Sequence, residues 1–486
     1  MRGTRSRRSP PPRIGRVALA VLGLALSACP AGKGEAPAPK SAPSRPPGGP
    51  SVLFITIDTL RADHLGAYGY SRRTSPRMDA LASEGTLFEQ AYTYWPKTRG
   101  SFVAIMTGRR SSQTGYSKSH PLLLDTNPTL ASVLSEAGYD TAAIVDNANV
   151  AASLGYAKGF RSYRETWEEK ALPTEMDRTR AITEAGVRFL RAARPGRRFL
   201  LWLHYVNPHT PYTPPPPYDT AFLDAQASAG RSLPVVETLH GGIPHQWAVA
   251  GRDRLGYYVA QYDGEVAAVD EQVGQILDAL SASAVKDRTI VVLTSDHGES
   301  LGEHDYYFDH GENLFDPSLR IPLLVVAPGA PKDRRSRALA STLDLVPTLL
   351  DAVKVSFPPD LAGHSLLPAL MGRESRPRAR LYGQNDRNLV AGWDERFKLV
   401  ATPRGDGRRF GLYDRASDPG ETRDVGRRRP EDLRVHRREL ELFLEQGDRE
   451  WARIRETLER TSGEERLSPE ACERLKALGY VQESCR

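Results

Sequence analysis

The amino-acid sequence predicts an α/β protein: a mostly parallel sheet covered by helices, then a small antiparallel sheet and a helix at the carboxyl end. Three observations carry this prediction. Continuous apolar runs at Val52–Ile57, Phe199–Leu203 and Ile290–Leu293 lack the alternation of a half-exposed strand, so each reads as a strand buried on both faces. Between the second and third, Val266, Val269, Val273, Ile276, Leu277 and Leu280 recur at helical spacing, as in a helix laid on such a sheet. Near the end, Phe397–Val400 and Gly411–Asp414 read as short strands, and Asp418–Glu421 as a turn. The charged tail beyond carries Leu440, Phe443, Leu444, Trp451, Ile454 and Leu458 at helical spacing.

The amino end is of another kind. Met1–Arg16 holds six arginines and no acid, and Val17–Ser27 is a short apolar run. Together they read as the two regions of a secretory signal, too brief to span a bilayer. The run ends in Leu26-Ser27-Ala28-Cys29, which resembles a bacterial lipobox. That resemblance implies removal of residues 1–28 and lipidation of Cys29 by acyl chains such as palmitate, anchoring the protein in the bacterial cell envelope, facing periplasm or exterior. An ordinary signal peptide or an uncleaved anchor are the alternatives. Residues 29–50 are rich in Pro, Ala and Gly and read as a tether. The formal charge of +6 belongs to the precursor: without the six arginines, 60 basic residues face 60 acidic ones, which gives no reason to expect a nucleic-acid partner. Cys472 and Cys485 can pair in an oxidising compartment, but nothing in the sequence requires it.

The chain beyond the tether is long enough for one large domain, 51–375, and a smaller carboxyl-terminal part, 376–486. Val52–Ile57 ends in Asp58, a carboxylate placed either to ligate a metal or to cap a helix. Asp79–Gly85 and Thr129–Gly138 read as helices, and Gly138–Val145 as the strand after the second. Arg198–Tyr205 is a strand running into Asn207-Pro208-His209-Thr210-Pro211-Tyr212, with prolines fixing the loop to Pro217. Residues 218–253 look like an insertion at the mouth of a site. The third apolar run leads into Ser295-Asp296-His297-Gly298-Glu299-Ser300-Leu301-Gly302-Glu303-His304. An Asp and a His side by side at the carboxyl end of a strand are the makings of a metal site on an open sheet.

This last string closely resembles the metal-binding segment of sulfatases, in the alkaline phosphatase superfamily, and Ile57–Tyr70 resembles the family's amino-terminal motif. Motifs in the family's order extend from Ser51 to Val425. The resemblance implies an alkaline phosphatase-like fold in which Asp58, Asp296 and His297 hold a divalent cation. It also gives His209 as a contact to the ester, while His204, inside the strand, reads as a core histidine.

The departures from the family pattern are as informative. Thr59 stands where many sulfatases have a second Asp, which fits a transition-type ion such as Mn²⁺ or Zn²⁺ better than an oxygen-rich Ca²⁺ cage, with Mn²⁺, Zn²⁺, Ca²⁺ and Mg²⁺ all left open. Sulfatases carry Cys-x-Pro-x-Arg nine residues before Thr-Gly, with the Cys oxidised to formylglycine. Counting back from Thr107-Gly108 puts Thr98 at that position, Gly100 at the Pro and Phe102 at the Arg. Oxidised Thr would be a ketone, which hydrates poorly, so a geminal-diol mechanism is not available. A Thr hydroxyl beside a cation is instead a metal-activated nucleophile, as the resemblance to lipoteichoic acid synthase and phosphoethanolamine transferases at this position implies. The alternative is that Thr98 only caps a helix through Phe102–Thr107, with Ser101 idle. The Gly-Lys-Trp-His of typical sulfatases is replaced by Asp146-Asn147-Ala148-Asn149, leaving Asn147, with Lys97 beside the nucleophile, as polar contacts to substrate. His310 falls where the family keeps a leaving-group Lys; His304 is the other candidate for that proton donor.

The expectation is a metal-dependent hydrolase or transferase acting on sulfate or phosphate esters through Thr98, without formylglycine. Its substrate would be an envelope or extracellular glycan or lipid, reached from a membrane-anchored position. The rival reading is a tethered binding protein that kept the fold and lost turnover.

Overall fold

The computed structural model describes residues 49–228, 231–373 and 378–461, which belong to one compact unit. The predicted signal, most of the tether, Cys29, Cys472, Cys485 and the predicted boundary at 375/376 lie outside the described residues. Among the described residues, no helix is long and apolar enough to cross a membrane.

An eight-stranded sheet organises the main body. Its strands are β1 (Ser51–Ile57), β2 (Thr86–Tyr92), β3 (Asp140–Val145), β4 (Ser162–Glu165), β5 (Phe199–Tyr205), β6 (Thr289–Ser295), β7 (Leu323–Val326) and β8 (Arg334–Ser341), in the order β8-β2-β7-β6-β1-β5-β3-β4. Only β7 runs against its neighbours. β1 sits between β6 and β5 because it is apolar on both faces. Val52 and Phe54 point into one core, and Leu53, Ile55 and Ile57 into the other.

Helices α1 (Pro76–Ser83), α2 (Thr98–Thr107), α3 (Leu130–Glu136), α4 (Glu175–Ala192), α5 (Leu255–Ser281) and α6 (Leu345–Ala352) cover the two faces. The first core takes α2, α3 and α6; the second takes α1, α4 and α5. α1 starts three residues before the predicted Asp79, because Pro76 supplies a preset φ at its first turn. Asp79 therefore lies in that turn, where its carboxylate accepts from the Ala67 N–H at 2.7 Å.

The carboxyl-terminal sheet has four strands, two more than the sequence marked: β9 (Leu381–Gln384), β10 (Val390–Trp393), β11 (Phe397–Arg404) and β12 (Gly407–Asp414), all antiparallel. Trp393 packs edge-on to Tyr92 of the main sheet, at 5.3 Å between ring centroids. The fully buried Lys398 reaches Asp316 at 2.5 Å and Glu421 at 2.7 Å, tying the small sheet to the loop before β7. Helix α7 (Pro430–Thr461) lays Leu440 into the core of the small sheet.

Candidate active site

Strand register builds the centre of the site. Ile57 of β1 pairs with Ser295 of β6, so the next residues, Asp58 and Asp296, leave the sheet side by side at its carboxyl edge. β5 and β3 end at the same edge and bring in the His209 loop and Asn147. Thr98 arrives from the side, as the first residue of α2.

Asp58, Asp296 and His297 are fully buried, and one donor atom from each lies within 4.8 Å of the others. His297 Nε2 is 3.4 Å from Asp296 Oδ2 and 3.7 Å from Asp58 Oδ1, and those two oxygens have no hydrogen-bond partner. His297 Nδ1 faces the Gly298 carbonyl at 3.0 Å, which places the ring proton on Nδ1 and leaves Nε2 as a lone pair. The Thr98 hydroxyl is 3.2 Å from that lone pair. Two orphaned carboxylate oxygens, an imidazole lone pair and a hydroxyl are a ligand set for a dication, and these residues fit one. Burial, then the Asp296 and Glu299 carboxylates, pushes Asp58 well above the usual carboxylate range. Burial lowers His297, keeping it neutral as a ligand must be.

Thr98 makes no side-chain cap to α2; Lys97 occupies the N-cap position. Ser101, which the capping alternative left idle, donates to the Asp296 carbonyl at 2.7 Å and lies 3.0 Å from Thr93 Oγ1. It thus clamps α2 to the loop that carries Asp296 and His297. The departures at Gly100 and Phe102 share one cause. A Cβ on Gly100 would come within 2.5 Å of the Trp95 ring, so neither Pro nor any other side chain fits there. Phe102 is fully buried, 5.1 Å from the Trp202 ring and 4.8 Å from His204. Where sulfatases keep a polar maturation motif, this chain has an aromatic core. His204 is part of it, buried, pushed down to about 4 by burial, and 3.0 Å from Thr56 Oγ1.

Asn147, expected at the substrate, donates from Nδ2 to Asp58 Oδ2 at 2.5 Å, and its Oδ1 accepts from the Asn149 N–H at 2.8 Å. Its first effect is therefore to orient a carboxylate. Thr59, at the position of the family's second Asp, holds a left-handed backbone (φ 53°) that its β-branched side chain disfavours. Tyr262 of α5 braces it, accepting from the Arg61 N–H and donating to the Thr59 carbonyl.

A second group of side chains flanks the first. The His310 ring is 4.2 Å from that of His297 and 5.1 Å from that of His209. Burial, then the other two imidazoles and Lys97, pulls His310 well below its ordinary value, so it is a neutral imidazole. His209 Nδ1 lies 2.6 Å from the Thr210 carbonyl, fixing the proton there. His304 goes elsewhere: it stacks on Phe315 at 3.7 Å, beside the small sheet, which leaves His310 as the donor candidate next to Thr98 and His297. Lys97 lies over Gly311, and its charge acts on Asp309 and His310. The insertion packs on the segment that leads to His310: His240 stacks on Tyr306, and the Leu239 carbonyl accepts from the Tyr307 N–H.

Sequence reasoning did not single out Ser101, Tyr262, Glu299 or Asp309. Glu299 and Ser101 lay inside motifs that pointed at the site, Ser101 there read as idle; Tyr262 and Asp309 did not.

With this geometry in view, comparison with known proteins defines the class. The sulfatase family profile matches residues 50–355, and that of the N-sulphoglucosamine sulphohydrolase carboxyl-terminal region matches residues 302–441. The chain belongs to the sulfatase family and is a sulfatase-like ester hydrolase. It is 26% identical over 405 residues to an arylsulfatase of Clostridium perfringens, covering 69% of this chain and 81% of the relative. It is also 26% identical over 421 residues to a Delta 4,5-hexuronate-2-O-sulfatase of Bacteroides thetaiotaomicron, covering 78% and 85%. Among solved structures, the phosphonate monoester hydrolase of Agrobacterium radiobacter superposes with a TM-score of 0.70 at 22% identity, over 82% of this chain and 96% of that one. That likeness bears out the predicted fold class.

Proposed function

We propose that this protein cleaves a sulfate or phosphate ester by covalent catalysis at Thr98, with a divalent cation held by Asp58, Asp296 and His297. The observation that carries the reading is the Thr98 hydroxyl at 3.2 Å from a metal-type lone pair, inside a cluster with two unpartnered carboxylate oxygens. When bound, a dication supplies charge that lowers the pKa of the Thr98 hydroxyl and neutralises the ester oxygens.

The residues do the rest. Thr98 loses its proton to water and its Oγ bonds to sulfur or phosphorus as the ester oxygen departs. The position of Thr98 at the start of α2 favours the negative charge through the helix N-terminus. The leaving oxygen accepts a hydrogen bond from the neutral His310 ring and takes its proton from water, and His209 orients the ester. Water then displaces the Thr98 oxygen, giving up one proton to solvent while Thr98 regains its own; an acceptor alcohol in place of water gives transfer. The absence of the family's Lys-His pair favours a monoanionic centre, a sulfate monoester or a phosphodiester, over a dianionic phosphate. Relatives named as glycan sulfatases support an extracellular or envelope glycan as substrate. The lipobox supports a lipid anchor at Cys29, and lipid labelling that disappears in Cys29→Ala is the expected result.

The test uses the protein stripped of metal and reloaded with Mn²⁺, Zn²⁺ or Ca²⁺ in turn, with an aryl sulfate and an aryl phosphodiester as a matched pair. Turnover of either ester that vanishes in Thr98→Ala, with a phospho- or sulfo-adduct trapped on Thr98, is the expected outcome. Turnover that persists in Thr98→Ala overturns the nucleophile. No turnover with any cation and no retained metal favours the binding-protein reading.

A further inference from the structure

We propose that Glu299, Asp309 and His310 form a second divalent-cation site, beside the one at Asp58, Asp296 and His297. One donor atom from each of the three residues lies within 4.8 Å of the others. His310 Nδ1 is 3.3 Å from Glu299 Oε1 and 3.9 Å from Asp309 Oδ1. Two donors bound to one cation at about 2.1 Å in tetrahedral geometry stand about 3.4 Å apart, so the Glu299–His310 spacing is that of two ligands of one ion. The same 3.3 Å also allows a hydrogen bond between the two, at the long end of the usual range.

A second, independent observation points to a missing ligand. Glu299 is fully buried; its carboxyl faces the Thr210 N–H and the Thr59 hydroxyl, and its Oε2 makes no hydrogen bond of proper geometry. Among the described residues, its one ion-pair partner is the His310 imidazole. Arg61 donates to the Glu299 backbone carbonyl and its charge reaches the Glu299 carboxyl, but its ion-pair partners are Asp63 and Glu303. A buried carboxylate without a cation is costly, and a bound dication removes that cost. The side chain of Asp309 is 31% exposed, which gives an ion a route in from solvent.

Charge balance argues the same way. Around the site stand Asp58, Asp296, Glu299 and Asp309, four carboxylates, with Lys97 as the nearby ammonium. One dication plus Lys97 leaves a net negative charge, a poor reception for an anionic ester. A second dication turns the balance positive. One imidazole and two carboxylates suit Zn²⁺ or Mn²⁺. A cation on His310 Nδ1 also confines the ring proton to Nε2, the nitrogen that must carry it if His310 donates a hydrogen bond to the leaving oxygen. This last consequence rests on the Thr98 reading; the cation site does not.

The experiment counts metal. The full chain is stripped with chelator, loaded with Zn²⁺ or Mn²⁺ alone, dialysed, and analysed by elemental mass spectrometry, with crystals of the same samples giving anomalous difference maps. We expect two ions per chain, with an anomalous peak among Glu299, Asp309 and His310. Glu299→Gln and Asp309→Asn should each hold one ion, and Asp58→Asn should lose the other peak while keeping this one. Thr98→Ala should keep both peaks, so failure of the Thr98 reading leaves the count untouched. A wild-type ratio of one, or two ions retained in both Glu299→Gln and Asp309→Asn, overturns the proposal. If Glu299→Gln fails to fold, Asp309→Asn and the wild-type map still decide it.

Discussion

Asn147→Ala tests how far this site depends on a residue that touches no reacting atom. The Nδ2 of Asn147 holds Asp58 Oδ2 at 2.5 Å, which turns Oδ1, the unpartnered oxygen, toward His297. A hydrogen bond to a buried charged oxygen contributes about 1.5–3 kcal/mol. About 2 kcal/mol, taken wholly from the bound state, is about a thirty-fold loss of cation affinity. That falls within the ten- to hundred-fold range typical of residues that orient metal ligands. The same substitution removes the acceptor for the Asn149 N–H, at a cost of about 1 kcal/mol to folding. The assay is therefore calorimetric titration of the stripped protein with Mn²⁺, paired with a thermal melt. A Kd raised by about thirty-fold with a small drop in Tm is the expected result. A Kd within threefold of wild type, with a normal melt, would refute the argument that Asn147 sets the geometry of Asp58.

Three further outcomes are expected. Ser101→Ala removes the bond from α2 to the Asp296 carbonyl and should lower kcat about tenfold with little change in KM, read by steady-state kinetics. Lys398→Met removes one of the two cations that Asp316 and Glu421 share, leaving Arg415 at 3.0 Å and 3.8 Å, and should destabilise the protein by about 1.5–3 kcal/mol, read in urea denaturation. Glu175 and Glu265 share the Asn207 amide, each at 2.6 Å; burial raises Glu175 to about 8 and Glu265 to about 7. Raised carboxyl groups favour the fold while protonated, so that stability is full below pH 4.5 and is lost as pH climbs through about 7 to 8. Glu175→Gln should therefore raise Tm by about 2–4 °C at pH 8.5 and hardly at pH 5; an equal shift at both values would refute this.

Much of this protein is legible in its residues alone. The doubly apolar runs mark strands buried on both faces, and the Asp, His and Thr residues at their ends lie in order along the chain. Local pattern misjudges the less regular pieces. β9 and β10 are four residues each, and a Gly interrupts both, so neither carries a clear periodicity. The start of α1 depends on Pro76 rather than on the acidic residue inside the first turn.

The sequence by itself determined the class of fold, the metal-type residues and the loss of the formylglycine motif, because each is a matter of residue type within a short window. Only the tertiary structure decided which atoms meet. Asp58 and Asp296 are 238 positions apart, and it is the register of β1 on β6 that sets them together. The same folding turned Asn147 onto Asp58, sent His304 to Phe315, and brought Glu299 to His310. Sheet register and loop packing are long-range outcomes of burying two apolar faces at once, and no short stretch of chain encodes them.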